Sequence, residues 1–199
     1  MCIRDSTRLK LGLSFLPKEQ RVPLEKDVED MNLLLNEFLD FAKLENETGI
    51  PTEDTNPSVL VNELIKNFER ANIKIKTIGE IENNLIKLKP FAIKRALENL
   101  INNANRYGEK IIIEKKIESN CLVLSVHDDG PGIHESQYDE VMQPFTRLDP
   151  SRNQNKGSGV GLGLPIAKEI AEGQGGTLKL SKSDILAGLS ASLIIPINI

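Results

Sequence analysis

Apolar side chains near the start of the chain recur at alternating steps of four and three residues. Before Pro17, which cannot continue a helix interior, the step is carried by Leu9, Leu13 and Leu16. After it, the series is Leu24, Val28, Met31, Leu35, Phe38 and Ala42. This pattern predicts a helical hairpin over residues 1–47, with an unusually short first helix. We expect a second copy to cover the apolar seam in a four-helix dimer; the alternative is packing against the rest of the same chain.

The helical period stops in residues 48–57, where Gly49, Pro51 and Pro57 lie among polar residues. We therefore predict a linker at 48–57 and a second domain at 58–199. Its periodicities predict helices over 59–68, over 91–107 and after Leu164, and strands over 73–78, 85–88, 110–117, 122–127, 177–181 and 189–196, with turns at 119–120 and 187–188. Strands beside helices, without regular alternation, predict an α+β fold: a two-layer sandwich with helices on one face of a mixed sheet.

Composition and charge limit the kinds of molecule that the chain could bind and the compartment in which it could lie. The 199 residues carry a net charge of −4 with both signs interspersed, which argues against a nucleic-acid partner. The two cysteines, Cys2 and Cys121, lie too far apart to suggest a disulfide framework or a metal motif. Apolar runs are too short to cross a bilayer, and no leader-like segment is present. We expect a cytoplasmic location.

Two polar patches have candidate chemistry. Asn99 and Asn103 are four residues apart on a predicted helix, so both amides share a face that could bind a cation or a nucleotide; a solvated face or a helix-end cap is the alternative. Asp128 and Asp129 follow a predicted strand and precede Gly130 and Gly132. A buried carboxylate there could accept a hydrogen bond from an exocyclic amine such as that of adenine, although turn chemistry or a metal would also explain the pair.

A third patch is rich in glycine. Gly157, Gly159, Gly161 and Gly163 alternate with small or apolar residues ahead of a predicted helix. Backbone N–H groups at a helix N-terminus suit phosphates. The spacing fits neither the Walker loop nor the dinucleotide fingerprint, and a flexible linker is the alternative.

Read together and in order, the three patches resemble the N, G1 and G2 boxes of sensor histidine kinases, whose ATP-binding domain has the Bergerat fold shared with gyrase, the Hsp90 chaperones and MutL. Residues 143–147 (Gln-Pro-Phe-Thr-Arg) resemble the F box, and the whole order is most similar to the osmosensor-type (EnvZ-like) branch. The resemblance extends from about Thr7. It implies ATP and Mg²⁺ as cofactors, phosphoryl transfer in a two-component system, a response regulator receiver domain as partner, and a parent protein in the bacterial inner membrane through segments absent from this chain.

The resemblance also implies roles for individual residues. Asn103 would ligate magnesium, Asn99 would lie near the γ-phosphate, Arg106 beside the phosphates, and Tyr107 against adenine. Asp129, rather than Asp128, would accept the adenine amine. Phe145 would anchor a mobile lid reaching to about Ser158, and Arg147 would neutralise phosphate charge. The implied catalytic residues are Asn99 and Arg147. The implied nucleotide contacts are Asn99, Asn103, Arg106, Tyr107, Asp129, Gly130, Gly132, Ile133, Phe145, Ser158, Gly159, Val160, Gly161, Leu162, Gly163 and Leu164.

One departure from the family concerns the phosphoacceptor histidine, which would precede Thr7. Residues 1–6 contain no histidine and look like a foreign start, while His127 and His134 belong to the nucleotide domain. We expect His127 to be structural and His134 to face solvent; Gln174 stands where the family often has histidine. The chain is thus expected to bind Mg-ATP without phosphorylating itself on the usual histidine. The alternatives are a degenerate module for dimerisation or regulator docking, and another Bergerat-type ATPase.

Overall fold

The structure is a computed structural model that describes residues 11–44, 51–81, 85–148 and 161–197. Residues 11–13 are helical, and the elements that follow are listed here in chain order. They are α1 (Lys18–Leu44), β1 (Glu53–Thr55), α2 (Pro57–Arg70), β2 (Ile75–Ile78), β3 (Ile86–Leu88), α3 (Pro90–Tyr107), β4 (Ile111–Glu118), β5 (Cys121–Asp128), α4 (Tyr138–Val141), α5 (Gly163–Glu172), β6 (Thr177–Lys182) and β7 (Leu189–Pro196). A 3₁₀ turn, Glu135–Gln137, precedes α4.

The main sheet has five strands in the order β2-β4-β5-β7-β6. β2 pairs with β4 in parallel, and the other neighbours are antiparallel, so the sheet is mixed. α3 and α5 pack against each other and against the sheet, and α2 packs against α3. Strand β5 lies in the middle and directs Leu122, Leu124 and Val126 into the core beneath these helices. The predicted α+β sandwich with helices on one face of a mixed sheet is confirmed.

The β4–β5 hairpin has the predicted two-residue turn. Ser119 and Asn120 both have positive φ, 50° and 60°, which is the conformation of the tight turn that matches the twist of the flanking strands. The connection between β6 and β7 is longer than the predicted turn at 187–188, because it occupies all of 183–188. Ala187, at φ 66°, closes this loop.

Several boundaries differ from the sequence predictions by one or two residues, and two of the differences concern the predicted linker. Helix α2 begins at Pro57 rather than at residue 59, because the Asn56 carboxamide oxygen accepts hydrogen bonds from the N–H groups of Ser58 (2.9 Å) and Val59 (3.2 Å). Strand β1 lies within the predicted linker and pairs antiparallel with β3. Its three residues, Glu-Asp-Thr, carry no apolar alternation that would have indicated a strand. The division at 47 and 57 stays a prediction.

Helix α1 contains the predicted apolar seam. Leu24, Met31 and Phe38 are 41%, 41% and 50% exposed, whereas Val28 is buried, and α1 contacts α5. Packing within the chain therefore covers only part of the seam. Leu9 and residues 1–6 lie outside the described residues. No helix in the described ranges is long and apolar enough to span a bilayer.

Candidate functional site

Helix α3 presents the two asparagines next to its buried face. Gln174 Oε1 accepts a hydrogen bond (3.2 Å) from the N–H of Lys89, the residue just before the helix, and so ties the start of α3 to the segment after α5. The face towards the core carries Ile93, Leu97, Leu100, Ile101 and Ala104. Asn99, Asn103 and Arg106, spaced by four and three residues, form a half-buried row beside it. The predicted shared face is therefore present.

The N-terminus of α5 meets this row. A Cβ added to Gly163, the first residue of α5, would lie 3.6 Å from Asn99 Oδ1, while Asn99 Nδ2 donates to the Arg95 carbonyl (2.9 Å). Among the described residues, no side chain caps α5 at Leu162. The start of α5, with its positive dipole end, therefore lies close to Asn99.

Asp128 ends β5 and is the buried carboxylate of the pair. It is 4% exposed, and its Oδ1 accepts hydrogen bonds from the N–H groups of Gly130 (2.8 Å) and Leu189 (3.1 Å). Burial raises the pKa of Asp128, and the two backbone donors oppose that rise. Because both donors are bound by Oδ1, Oδ2 is the oxygen left for a ligand.

Asp129 has a different environment. It is half-buried, and its Oδ1 accepts hydrogen bonds from the N–H groups of Lys110 (2.9 Å) and Glu109 (2.7 Å), which lower its pKa. It thereby closes the turn between α3 and β4. The geometry therefore favours Asp128 over the sequence-based choice, Asp129, as the acceptor for a buried ligand. The described ranges contain no cluster of three or more His, Cys, Asp or Glu side chains suited to a metal.

Glycine residues lie close to Asp128. A Cβ at Gly130 would lie 2.9 Å from Asp128 Oδ1 and 2.8 Å from the Tyr107 carbonyl oxygen, and a Cβ at Gly188 would lie 2.5 Å from the same Oδ1. Gly132, at φ 69°, lies against Gly188. The backbone can close this tightly around the carboxylate only because Gly130 and Gly188 carry no side chain. Gly188 was not among the predicted site residues, although its place just before the last strand could have indicated it.

The remaining predicted residues are distributed around this centre. Tyr107 is 42% exposed at the end of α3, and Ile133 is partly buried against the core. Arg106 has a buried Nε without a hydrogen-bond partner in the described part of the chain. The predicted contacts Leu162 and Leu164 are core residues, so only their backbone could face a nucleotide.

A backbone hydrogen bond links Phe145 to Gly161 in the glycine-rich segment. Phe145 has φ 66°, and its N–H donates to the Gly161 carbonyl (3.1 Å). Arg147 is exposed. Ser158, Gly159 and Val160 lie outside the described residues.

The two histidines differ in setting. His134 is exposed, as predicted, and its Nδ1 accepts a hydrogen bond from the Ser136 N–H (3.3 Å) at the start of the 3₁₀ turn. His127 is buried, with Nδ1 3.1 Å from Ser183 Oγ. Burial lowers the pKa of His127 and favours its neutral form.

Residues 89–198, which include α3, β5 and α5, match the family described as histidine kinase-, DNA gyrase B-, and HSP90-like ATPase. The chain belongs to this family. The predicted Bergerat-type identity is thereby confirmed.

Within the family, the chain is similar to sensor histidine kinases. It is 32% identical over 194 residues to the sensor histidine kinase GtrS of Pseudomonas aeruginosa (96% of this chain, 38% of that protein). It is 33% identical over 189 residues to the sensor protein RstB of Escherichia coli (92% and 43%). The solved histidine kinase domain of the E. coli osmosensor EnvZ is 34% identical with a TM-score of 0.57 (75% of this chain, 91% of that chain).

The chain therefore carries an ATP-binding core of the sensor histidine kinase type, as predicted. It spans about two fifths of the length of these curated relatives.

Proposed function

We propose that this chain holds Mg-ATP for transfer of the γ-phosphoryl group to a histidine of a two-component sensor kinase. The observation that carries the proposal is the buried carboxylate of Asp128, which is bordered by glycine backbone and lies beside the C-terminal end of α3, the helix that carries the asparagine row. Within the part of the chain that the structure describes, no Lys or Arg lies against Asp128. Such a buried carboxylate suits a neutral hydrogen-bond donor, and the adenine amine is one.

The adenine end of the site is built around Asp128. Its Oδ2 would accept the adenine amine, while Oδ1 stays bonded to the N–H groups of Gly130 and Leu189. Gly130, Gly132 and Gly188 would leave room for the ring, with Tyr107 and Ile133 beside it. This assignment replaces Asp129 with Asp128 and keeps the other predicted contacts.

The phosphate end lies between α3 and the start of α5. Gly163 would offer backbone N–H to a phosphate, and Arg106 would supply a positive charge from its half-buried position. Asn103 would give its amide oxygen to Mg²⁺, with Asn99 close to the γ-phosphate. When bound, the metal would neutralise charge on the phosphate oxygens. Arg147, which is exposed, would reach the phosphates only after the chain around it closes.

The proposed reaction is in-line phosphoryl transfer, in which the chain positions the nucleotide and the acceptor is a histidine nitrogen. That nitrogen would bond to the γ-phosphorus as the bond to the β-phosphate oxygen breaks and ADP leaves. His127 is buried and hydrogen-bonded, and His134 is bonded within its own turn, so neither suits this role. We therefore propose that this chain is the donor half of the reaction.

The exposed seam of α1 supports a homodimer, since Leu24, Met31 and Phe38 would be covered by a second copy. A response regulator receiver domain would then take the phosphoryl group from the histidine. We propose a bacterial inner-membrane location for the parent protein, with this part on the cytoplasmic side.

The adenine contact is tested by titrating the chain with a fluorescent ATP analogue, comparing Asp128→Asn with Asp129→Asn. In Asp128→Asn the amide oxygen stays with the two backbone donors, so the amide nitrogen turns towards the adenine amine and donor faces donor. A hydrogen bond to a charged group contributes about 1.5–3 kcal/mol, so we expect at least about a tenfold loss of affinity. Asp129→Asn should bind as the parent does. Equal binding by all three proteins would refute the site.

Phosphoryl transfer needs a separate test. A dimerisation domain that carries a histidine is supplied together with ATP labelled on its γ-phosphate, and labelled protein is measured. Label on the added domain, lost in Asn103→Ala, supports the proposal. ATP binding without transfer would indicate a docking module, and hydrolysis that needs no acceptor would indicate a different ATPase.

A further inference from the structure

A buried polar pair lies on the opposite side of β5 from the Asp128 carboxylate. Successive residues of a strand point to opposite faces, so His127 points away from the helices while its neighbour Asp128 points towards them. His127 and Ser183 are both buried, and their side chains meet at 3.1 Å. We propose that His127 and Ser183 form a clamp that positions Asp128 for adenine, an inference that rests on the function proposed above.

The clamp has one consistent arrangement of protons. Ser183 Oγ accepts hydrogen bonds from the N–H groups of Ile185 (3.3 Å) and Leu186 (3.0 Å), which occupy both lone pairs of the hydroxyl. Its own proton is therefore directed to His127 Nδ1, and the ring proton lies on Nε2. That nitrogen is 3.8 Å from Glu114 Oε2 and has no hydrogen-bond partner among the described residues. This tautomer is assigned from the hydrogen-bond network. His127 thus acts as an acceptor that orients Ser183.

Ser183 in turn organises the loop 183–188. Its N–H donates to the Gly188 carbonyl (2.8 Å), and its carbonyl accepts from the Ala187 N–H (3.0 Å), so both ends of the loop are tied together. A shift of the Ser183 backbone would therefore displace Gly188.

The C-terminal end of this loop is hydrogen-bonded to Asp128. The Gly188 N–H donates to the Asp128 backbone carbonyl (3.1 Å), and the Leu189 N–H donates to Oδ1 (3.1 Å). The Leu189 donor helps to hold Oδ1, which leaves Oδ2 turned to the ligand. His127 and Ser183 are thus positioning residues: they do not touch the nucleotide, but they set the carboxylate that does.

The clamp is tested with Ser183→Ala and His127→Leu, which each remove it, and with His127→Asn, whose amide oxygen can replace Nδ1 as acceptor. Ser125→Ala is the matched control, because Ser125 is a buried serine on the same face of β5 and its Oγ pairs with Ser192 Oγ at 2.7 Å. The probes are ATP and purine riboside triphosphate, which lacks the 6-amine. Affinities and melting temperatures are measured on the full chain.

We expect Ser183→Ala and His127→Leu to weaken ATP binding roughly three- to tenfold, the range for one hydrogen bond, and to reduce the preference for ATP over the amine-free nucleotide. His127→Asn should restore that preference. Ser125→Ala should change the melting temperature and leave the preference unaltered. The double variant should be no worse than either single one, since both remove the same contact.

The two proposals fail in different ways. If the unchanged chain binds both nucleotides equally, or Asp128→Asn keeps the preference, the adenine contact fails and the clamp with it. If Asp128→Asn loses the preference while Ser183→Ala and His127→Leu keep it, the clamp alone is overturned and the pair is only structural.

Discussion

Gly161→Ala tests the contact between Gly161 and residues 145–146. Gly161 has φ 79°, and an added Cβ would lie 2.5 Å from the Thr146 carbonyl oxygen and 3.0 Å from the Phe145 carbonyl carbon. Real Cβ atoms essentially never approach closer than 3.0 Å, so Thr146 has to move by at least 0.5 Å (3.0 minus 2.5). We expect that movement also to break the adjacent hydrogen bond from the Phe145 N–H to the Gly161 carbonyl (3.1 Å).

The cost has two parts. A left-handed conformation costs an alanine about 1–2 kcal/mol, and the lost hydrogen bond adds about 0.5–1.5 kcal/mol. Gly175→Ala is the matched control, because Gly175 has φ 72° and nothing within 4 Å of its added Cβ. It therefore bears the conformational cost without the collision.

The assay compares the melting temperature and the affinity for a fluorescent ATP analogue in both variants. At about 2–4 °C per kcal/mol for a chain of this size, both variants should melt lower than the parent, Gly161→Ala by several degrees more. Only Gly161→Ala should lose ATP affinity, by about tenfold, because only it displaces the backbone next to the site. If both variants bind ATP equally well, Phe145 and Gly161 do not shape the nucleotide site.

Two further predictions concern stability. Burial lowers the pKa of His127 below its ordinary 6.5, so the fold favours the neutral ring; stability is complete above pH 6.5 and is lost as pH falls through the lowered folded-state pKa. Melting temperatures measured from about pH 8 to about pH 5 should therefore drop at acid pH, and less so in His127→Asn; parallel curves would contradict this cause. Gln174→Leu removes the cap on the Lys89 N–H and should cost about 1 kcal/mol by urea denaturation, whereas Gln174→Glu, which keeps an acceptor oxygen, should lose less. Equal loss in both variants would mean that packing, not capping, decides the effect.

Secondary structure could be predicted from the local sequence pattern where that pattern extended over enough residues. The hairpin turn at Ser119 and Asn120 and the helix ending at Tyr107 agree with the sequence predictions, because turn chemistry and apolar periodicity act over neighbouring residues. Strand β1 was missed because three polar residues show no period. Its pairing with β3 is a contact between segments about 30 residues apart.

The sequence contains a pattern that distinguishes Asp128 from Asp129, and the choice made from the family resemblance did not use it. Leu122, Leu124 and Val126 alternate along β5, and continuing that period of two places Asp128, not Asp129, on the buried face. Strand alternation alone would have selected the buried carboxylate, which we propose as the adenine acceptor. The contact between His127 and Ser183 could not be predicted from the sequence, because 56 residues separate them and they meet only in the folded sheet.

Helix α3 is held at both ends by side chains from elsewhere in the chain. Gln174 binds the N–H of Lys89 before the helix, and Asp129 binds the N–H groups of Glu109 and Lys110 after it. Each residue added to or removed from a helix turns everything beyond it by about 100°. A single insertion between these two sets of hydrogen bonds would either rotate Asn103 out of its row or break one of the sets. The stretch between Lys89 and Lys110 should therefore keep its length unchanged through evolution even where its residues are replaced.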